Sequence, residues 1–261
     1  MRMDTLDTGW AGKDFRYLEV TDSTNEECIR FMQGGAEHGL VVAAGQQLAG
    51  KGRRGRSWNS PPGESVYMTL GLRPDFEPDK ASMLTLVMAM AVVRAIEKVT
   101  GIKDVGIKWP NDIVVNARKV SGILTEMRIL ENRIDCVVIG VGINVNNREF
   151  SPELTQTATS LFLNCGQEFK TEEIIARVLE SFEHYYDKFV KKRDMSTIMG
   201  EYVEKMLNKD REVRVLDPHG EFMAVARGIN EKGELLVEKE DGTVEAIYAG
   251  EVSVRGIYGY V

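Results

Sequence analysis

The chain has 261 residues, of which 43% are hydrophobic and 28% are charged, and its formal net charge is −7. This composition is typical of a globular protein with one sizeable core and a second small unit, and the acidic balance argues against a protein that coats nucleic acid. No apolar run approaches the roughly 18 residues of a membrane span, and residues 1–10 lack the apolar core of a signal peptide. The three cysteines are widely separated and suit a reducing compartment, so a cytoplasmic protein is predicted.

The first 208 residues combine strands and helices in no regular alternation. The sequence contains neither a Gly-x-Gly-x-x-Gly motif after a first strand nor a Walker Lys-Ser pair, so the common dinucleotide and P-loop folds are not indicated. This order of elements predicts an α+β domain. Its strands are predicted at residues 15–20, 40–44, 65–72, 106–109, 113–115, 120–130 and 133–145, and its helices at 24–32, 80–100, 172–192 and 196–208.

The composition changes near Lys209. From Glu212 to Val254, short strand-like segments alternate with the turn sequences Pro-His-Gly, Glu-Lys-Gly and Asp-Gly. Turns at intervals of about eight to twelve residues predict a small β-barrel or sandwich. We therefore expect a larger domain over residues 1–208 and a small all-β domain over residues 209–261.

Residues 50–56, which we call the basic loop, carry the strongest functional signal. Four cations and three glycines follow one another in Gly-Lys-Gly-Arg-Arg-Gly-Arg, and Trp58 comes two residues later. Glycine permits close approach of the backbone to a ligand, while arginine stays charged and binds phosphate oxygens through its planar guanidinium. Burying such charges without partners would cost several kcal/mol each. The loop is therefore predicted to face solvent or, more specifically, an anion.

Three further segments combine polar or cationic residues with a turn or with glycine. Residues 108–112 read Lys-Trp-Pro-Asn-Asp, where a tight turn explains the last three residues but not the first two. Lys119 and Gly122 enter the next strand, and a lysine at a strand entry is usually solvated. Residues 140–144 read Gly-Val-Gly-Ile-Asn, and strand glycines can admit a ligand's flat surface. Each segment alone is weak, but together they form a specific pattern.

In this order, and preceded by Ser23-Thr24-Asn25, the segments resemble the biotin protein ligase family. The motifs cover about residues 22–147, and the domain layout extends the resemblance to residue 261. It implies a mixed-sheet catalytic domain related to class II aminoacyl-tRNA synthetases over residues 1–208, followed by an SH3-like β-barrel over residues 209–261. Only 22 residues precede Ser23, which is too few for the helix-turn-helix domain of some members. A short form without repressor function is therefore expected.

The resemblance also implies a reaction in two steps. Biotin is first activated by ATP and Mg²⁺ to biotinyl-5′-AMP with release of pyrophosphate, and biotin then passes to a lysine of a biotin carboxyl carrier protein. None of the three histidines lies in a recognisable nucleophile–base setting, which agrees with a reaction that forms no covalent enzyme intermediate. Nucleic-acid and membrane partners are not expected. Homodimers occur in the family, and the sequence leaves the oligomeric state open.

The resemblance implies four candidate catalytic residues: Arg53, Lys108, Lys119 and Asp112. The two lysines resemble those that contact the α-phosphate and the carboxyl oxygens of biotin. Asn111 and Asp112 are expected near the ribose, the metal or the incoming lysine, and the sequence does not choose among these three. No residue is assigned as a dedicated metal ligand.

The other roles implied by the resemblance concern binding. Trp58 is expected to lie against adenine, and Asn144 to contact the adenine edge. The candidate ATP and adenylate contacts are Arg53, Arg56, Trp58, Asn111, Lys119 and Asn144. The candidate biotin contacts are Ser23, Thr24, Asn25, Gln47, Gly50, Lys51, Gly122, Gly140 and Gly142.

Lys51 departs from the family pattern, which usually has arginine at this place. If the backbone at Lys51 contacts biotin, the change matters little, whereas a side-chain contact would lose a bidentate grip. The glycine-rich basic loop is also expected to order itself over biotin and its adenylate. Closure of this kind would exclude water from a hydrolysable anhydride.

Three alternative functions are considered. A lipoate ligase would share the fold and the adenylation chemistry, but the basic loop fits biotin ligases better. A nucleic-acid clamp would place arginines on phosphate and stack Trp58 on a base; the net negative charge and the absence of a second basic cluster argue against it. A catalytically inactive biotin-binding regulator would not need Arg53, Lys108, Lys119 and Asn144 all intact.

Overall fold

A seven-stranded mixed sheet forms the centre of the larger part of the molecule. The computed structural model describes residues 6–217, 220–248 and 253–256. The strand order is β1-β2-β3-β7-β6-β5-β4, with β1 and β2 parallel and the other neighbours antiparallel. The strands are β1 (Phe15–Thr21), β2 (Val41–Gln47), β3 (Ser65–Leu72), β4 (Val105–Lys108), β5 (Asp112–Val115), β6 (Arg118–Leu130) and β7 (Arg133–Asn144).

Helices cover both faces of this sheet. The helices are α1 (Thr24–Gln33), α2 (Leu84–Thr100), α3 (Leu161–Cys165), α4 (Thr171–Lys192) and α5 (Met199–Lys205). α2 and α4 pack on one face, where they enclose the main hydrophobic core. α1 packs against β2, β3 and β7 on the other face, over a smaller apolar cluster that contains Cys28, Met32 and Cys136. With both faces covered, every residue of the central strand β3 is buried.

The predicted helix 80–100 begins differently in the structure. A 3-10 helix spans Pro78–Met83, and the α-helix α2 starts only at Leu84. Proline is favoured in the first turn of a helix because its missing N–H has no intrahelical acceptor there. The sequence therefore predicted a helical segment here, but not its start at Pro78 or the 3-10 helix that precedes α2.

The predicted helix 196–208 is shorter in the structure, and α3 was not predicted. α5 ends at Lys205 because the following residues pair with β4: the Leu207 N–H donates to the Ile107 carbonyl at 2.9 Å. α3 has only five residues, and the Ser160 hydroxyl caps it by accepting from the Leu163 N–H. Long-range pairing and a side-chain cap, rather than hydrophobic periodicity, determine these two helices.

A separate five-stranded antiparallel sheet follows the mixed sheet. Its strand order is β11-β10-β9-β8-β12. The prediction of short strands after residue 209 is confirmed, and the described chain is of the α+β class. The strands are β8 (Glu212–Asp217), β9 (Gly220–Ile229), β10 (Leu235–Glu238), β11 (Val244–Ile247) and β12 (Ser253–Gly256).

Trp109 joins the two sheets. Its side chain is 2% exposed, and its indole Nε1 donates to the carbonyl of Gly233, in the loop before β10, at 3.1 Å. Its backbone N–H donates to the Asn208 side chain at 2.9 Å. The turn alone did not explain this tryptophan, which anchors the β4–β5 hairpin on the second sheet.

The described helices include none that combines the length and apolar character needed to cross a membrane.

Candidate functional site

A cleft of about 470 Å³ gathers residues from sequence segments that lie far apart. It is bounded by the start of α1, the end of β2, the basic loop, the β4–β5 turn, β6 and β7. Twelve of the predicted site residues line it. These are Ser23, Thr24, Asn25, Gln47, Lys51, Arg53, Trp58, Asn111, Lys119, Gly122, Gly140 and Gly142.

The polar end of the cleft is built around Thr24 and Gln47. Gln47 Oε1 accepts from the Thr24 backbone N–H at 2.9 Å and from the Thr24 hydroxyl at 3.1 Å, while Gln47 Nε2 donates to Ser60 Oγ at 2.9 Å. Ser23 precedes α1 as its N-cap by backbone position, and its hydroxyl makes no capping hydrogen bond. The side chains of Thr24 and Gln47 are thus held in fixed orientations, as a site that recognises its ligand through directed hydrogen bonds requires.

Asn25 is held by residues that sequence reasoning did not identify. Its Nδ2 donates to Glu126 Oε2 at 2.7 Å, and the Thr69 hydroxyl donates to its Oδ1 at 2.6 Å. A Cβ added at Gly140 would lie only 2.1 Å from Asn25 Oδ1. Glycine at position 140 therefore makes room for the Asn25 side chain. One feature of the sequence could have identified Glu126: it lies four residues after Gly122 in the predicted strand, so both residues are on the same face of that strand.

Two cations, an amide and a carboxylate form a connected network at the other end of the cleft. Arg53 Nη1 donates to Asn111 Oδ1 at 2.9 Å, and Asn111 Nδ2 donates to Asp112 Oδ1 at 3.1 Å. Lys119 Nζ lies 2.6 Å from the same Asp112 oxygen. The basic loop, the β4–β5 turn and β6 thus meet at this point. We call Arg53, Asn111, Asp112 and Lys119 the cationic network.

The cationic network is partly withdrawn from water. Burial lowers the pKa of Arg53, and the nearby Asp112 carboxylate opposes that shift. The side chains of Lys119 and Asp112 are 24% and 17% exposed. Charges with so little hydration interact strongly with a further anion. This end of the cleft is therefore suited to a phosphate or carboxylate group.

The Trp58 indole covers the glycines of β6 and β7. Added Cβ atoms at Gly122 and Gly142 would lie 2.9 Å and 2.5 Å from its ring atoms. Lys119 Nζ is 5.3 Å from the indole ring centroid, which is within the range of a cation–π contact. The indole Nε1 is buried and is one of the described side-chain atoms without a hydrogen-bond partner. The bare strand face that the glycines predicted is thus covered by an aromatic side chain in this structure.

Five predicted site residues do not line the cleft: Gly50, Arg56, Lys108, Asp112 and Asn144. Asp112 belongs to the cationic network, whereas the Arg56 side chain is exposed. Gly50 is buried at the base of the loop, where its carbonyl accepts from the Trp58 N–H at 2.8 Å. Lys108 is opposite Asp112 in the β4–β5 pair.

Asn144 contacts the backbone segment around Thr159, which pairs with Lys119. Its Nδ2 donates to the Thr159 carbonyl at 3.0 Å. The Thr159 N–H in turn donates to the Lys119 carbonyl at 2.8 Å. Asn144 is therefore connected to the strand that carries Lys119 through this backbone segment, and it is itself buried.

A wider groove of about 880 Å³ adjoins the cationic network. Arg53, Ile123 and Leu124 belong to both the cleft and the groove. The groove also includes Arg54 from the basic loop and Tyr248, which directly follows β11 of the second sheet. The cationic end of the cleft therefore opens toward the C-terminal sheet.

The fold and the cleft together define a protein with fixed hydrogen-bonding side chains in one part of the cleft and cations suited to an anionic group in another. Residues 17–144 match the Biotin/lipoate A/B protein ligase family, and residues 210–255 match the Biotin protein ligase C terminal domain. The chain belongs to the biotin protein ligase family.

Proteins of similar sequence and structure agree with this assignment. A bifunctional ligase/repressor BirA from Bacillus subtilis is 37% identical over 251 residues, which are 95% of this chain and 76% of the relative. A biotin–[acetyl-CoA-carboxylase] ligase from Mycobacterium tuberculosis is 31% identical, with 93% of this chain and 90% of the relative covered. Among solved structures, the biotin protein ligase from Aquifex aeolicus in complex with biotin and ATP superposes with a TM-score of 0.81 at 32% identity, with 94% and 99% of the two chains covered.

Proposed function

We propose that this chain is an ATP-dependent biotin protein ligase, which activates biotin as biotinyl-5′-AMP and transfers it to a lysine of a biotin carboxyl carrier protein. The observation that carries the proposal is the cleft itself. It joins a fixed polar end at Thr24 and Gln47 to the cationic network at Arg53 and Lys119. The similar Aquifex aeolicus ligase is described in complex with the same two small molecules, biotin and ATP.

In the first proposed step, a carboxylate oxygen of biotin attacks the α-phosphorus of ATP. The new bond joins this oxygen to phosphorus, the bond from the α-phosphorus to the bridging oxygen breaks, and pyrophosphate leaves with the electron pair. Both reactants are anions, so fixed cations must offset their repulsion and stabilise charge that develops at phosphorus. Lys119 and Arg53 supply two such cations on opposite ends of the cationic network.

In the second proposed step, the neutral amine of a carrier lysine attacks the acyl carbon of biotinyl-5′-AMP. An amide bond forms, AMP leaves with the electron pair of the broken anhydride bond, and the amine nitrogen gives up one proton to solvent. Asp112 and Asn111 lie beside Lys119, where they can orient the phosphate-binding lysine or the incoming amine. The position of the two residues supports a positioning role at the reacting end of the cleft.

Magnesium is proposed to enter as the Mg-ATP complex. The described residues contain no group of three or more His, Cys, Asp or Glu side chains that could hold a metal ion. Mg²⁺ commonly retains water and is bound through substrate phosphates together with one or two carboxylates. Asp112 is the carboxylate in the cationic network that suits this task, and the ion would neutralise charge on the phosphates.

We also propose a division into a catalytic domain over residues 1–208 and a C-terminal domain over residues 209–261. The separate antiparallel sheet that starts at Glu212 supports this division. Its five short strands and tight turns are compatible with an SH3-like barrel, and the mixed sheet with helices on both faces is compatible with a relation to class II aminoacyl-tRNA synthetases. The groove lined in part by Tyr248 connects the C-terminal sheet with the proposed active site.

Incubation with biotin, Mg-ATP and a biotin carboxyl carrier domain tests the proposed function. The carrier is expected to gain the mass of one biotinyl group. A carrier with its acceptor lysine replaced by arginine, and a reaction with lipoic acid in place of biotin, are the controls and should show no gain. An unchanged carrier mass in the complete reaction would contradict the proposal, and a gain with lipoic acid instead of biotin would favour the lipoate alternative.

Two arginines of the basic loop provide a matched comparison. Arg53→Ala is expected to weaken the binding of biotinyl-5′-AMP by about tenfold to a hundredfold, because a hydrogen bond from a charged group contributes about 1.5–3 kcal/mol. Arg56→Ala should change it by less than about threefold, since its side chain is exposed outside the cleft. Calorimetric titration with a non-hydrolysable analogue measures both. Equal losses in the two variants would show that the loop adopts another arrangement when the ligand binds.

A further inference from the structure

Lys51 of the basic loop contacts two carboxylates of the surrounding fold, one on α1 and one on β6. Its Nζ forms an ion pair with Glu26 Oε1 and lies 3.9 Å from Glu126 Oε1. Hydrogen bonding to Glu26 is the largest cause of the raised pKa of Lys51, with a smaller contribution from Glu126. The three side chains are 41%, 32% and 32% exposed, so the contact is half-buried rather than fully solvated.

The two carboxylates belong to the parts of the fold that build the polar end of the cleft. Glu26 is in the first turn of α1, directly after Asn25. Glu126 is on β6, and its second oxygen accepts from Asn25 Nδ2 at 2.7 Å. A single carboxylate thus contacts both the basic loop and a residue that lines the cleft.

Lys51 also lies where the two sides of the basic loop come together, at the neck of the loop. It pairs with Ser57 across the neck of the loop, where the Gly52 N–H donates to the Arg56 carbonyl at 2.7 Å. Arg54, at the tip, has an exposed side chain. An anchor at Lys51 therefore holds both strands of the neck, while the tip depends on the neck for its position.

We propose that Lys51 is a positioning residue whose ion pairs with Glu26 and Glu126 act as a latch that keeps the basic loop folded over the cleft. The latch holds Arg53 in the cationic network and Trp58 over the glycines of β6 and β7. Its effect on the reaction rests on the proposed function: a closed loop retains biotinyl-5′-AMP until the carrier arrives. Its effect on the loop itself does not depend on that function.

A partly exposed ion pair is weak enough to open during each catalytic cycle. Surface pairs shift equilibria only slightly and are screened by salt, whereas partial burial and a second carboxylate strengthen them. We expect the latch to reduce the open population of the loop by about threefold to tenfold. The effect should be largest at low ionic strength.

Arg-specific proteolysis of the ligand-free protein tests the latch through Glu26→Gln, with Glu27→Gln as the matched control. Both variants remove one charge from the first turn of α1, but Glu27 pairs with Arg30 on the same helix instead of the loop. Cleavage at Arg53, Arg54 and Arg56 reports the open population when reclosing is fast. Glu26→Gln should accelerate cleavage by about threefold to tenfold at low salt and much less at high salt.

Glu27→Gln should leave the cleavage rate of the loop unchanged. Lys51→Met provides a second route to the same conclusion, because Glu26→Gln should add no further effect once the lysine is absent. Equal cleavage rates in Glu26→Gln and Glu27→Gln, or additive effects of Glu26→Gln and Lys51→Met, would overturn the latch.

Release of the labelled intermediate provides the readout during the reaction. The proteins are incubated with biotin and α-labelled ATP without carrier, and the loss of bound adenylate is followed after dilution. Glu26→Gln should release it about threefold to tenfold faster than Glu27→Gln; equal rates would contradict the proposed effect of the latch on retention. If the unchanged protein forms no adenylate at all, the proposed function fails, and the proteolysis result still decides whether Lys51 anchors the loop.

Discussion

Replacement of Lys119 by alanine is expected to slow the formation of biotinyl-5′-AMP by about a hundredfold to a thousandfold, which is the loss seen when a donor to a developing oxyanion is removed. Lys119 Nζ is held 2.6 Å from Asp112 at the end of the cleft where a phosphate would lie. Without it, the two anionic reactants meet beside the Asp112 carboxylate, which has lost the positive charge of Lys119. Biotin-dependent exchange of labelled pyrophosphate into ATP measures this step without the carrier.

Two controls separate the catalytic effect of Lys119 from an effect on folding. Lys103→Ala removes an exposed lysine and should leave the exchange rate unchanged. The double variant Lys119→Ala/Asp112→Asn also removes the negative charge that Lys119 balances, so it should recover stability lost in the single variant but not its activity. An exchange rate for Lys119→Ala within tenfold of the unchanged protein would contradict the role assigned to this lysine.

Replacement of Gly140 by alanine is expected to lower the free energy of unfolding by about 1–3 kcal/mol, the usual cost of overpacking a filled site. The added Cβ would lie 2.1 Å from Asn25 Oδ1 and would force that side chain away from Glu126 and Thr69. Because Asn25 lines the cleft, the affinity for biotin should fall by at least about tenfold as well. Denaturant unfolding and equilibrium binding of biotin measure the two effects.

Gly200→Ala is the matched control for this substitution. Gly200 lies in α5, and no atom within 4 Å would contact an added Cβ. Alanine there should be neutral or should stabilise the protein by about 0.5–1 kcal/mol, because glycine is unfavourable inside a helix. In an Asn25→Ala background the cost of Gly140→Ala should shrink, since the clashing group is gone. Equal costs in both backgrounds would show that Gly140 is not there to accommodate Asn25.

The elements that the sequence predicted best are those with a strong local pattern. The predicted strand 65–72 matches β3, and the predicted hairpin of residues 120–145 matches β6 and β7 within a few residues. α5 is shortened because Leu207 pairs with Ile107, and Trp109 is anchored by Asn208 and Gly233. In each case the partner lies about a hundred residues away along the chain or further. Hydrophobic periodicity contains no information on such partners.

The same distinction holds within the candidate site. The glycine-cation loop was predicted from the sequence because its residue types suit an anion, whereas Lys119 and the Thr24 segment were predicted from the resemblance to the family. Glu126 and Thr69 were missed because each is a common residue in a strand, and only the folded structure brings both to Asn25. For Lys51 the sequence left open whether the side chain or the backbone matters, and the structure shows a side chain paired with Glu26.

A crystal structure with a non-hydrolysable analogue of biotinyl-5′-AMP tests most directly whether separate positive side chains hold one acyl-nucleotide. We predict that oxygen atoms of the analogue's phosphate group lie about 3 Å from both Lys119 Nζ and the Arg53 guanidinium, with the biotin ring beside Thr24 and Gln47. A phosphate group beyond hydrogen-bond reach of both cations, or an analogue bound in the groove beside Tyr248 instead of the cleft, would contradict this account.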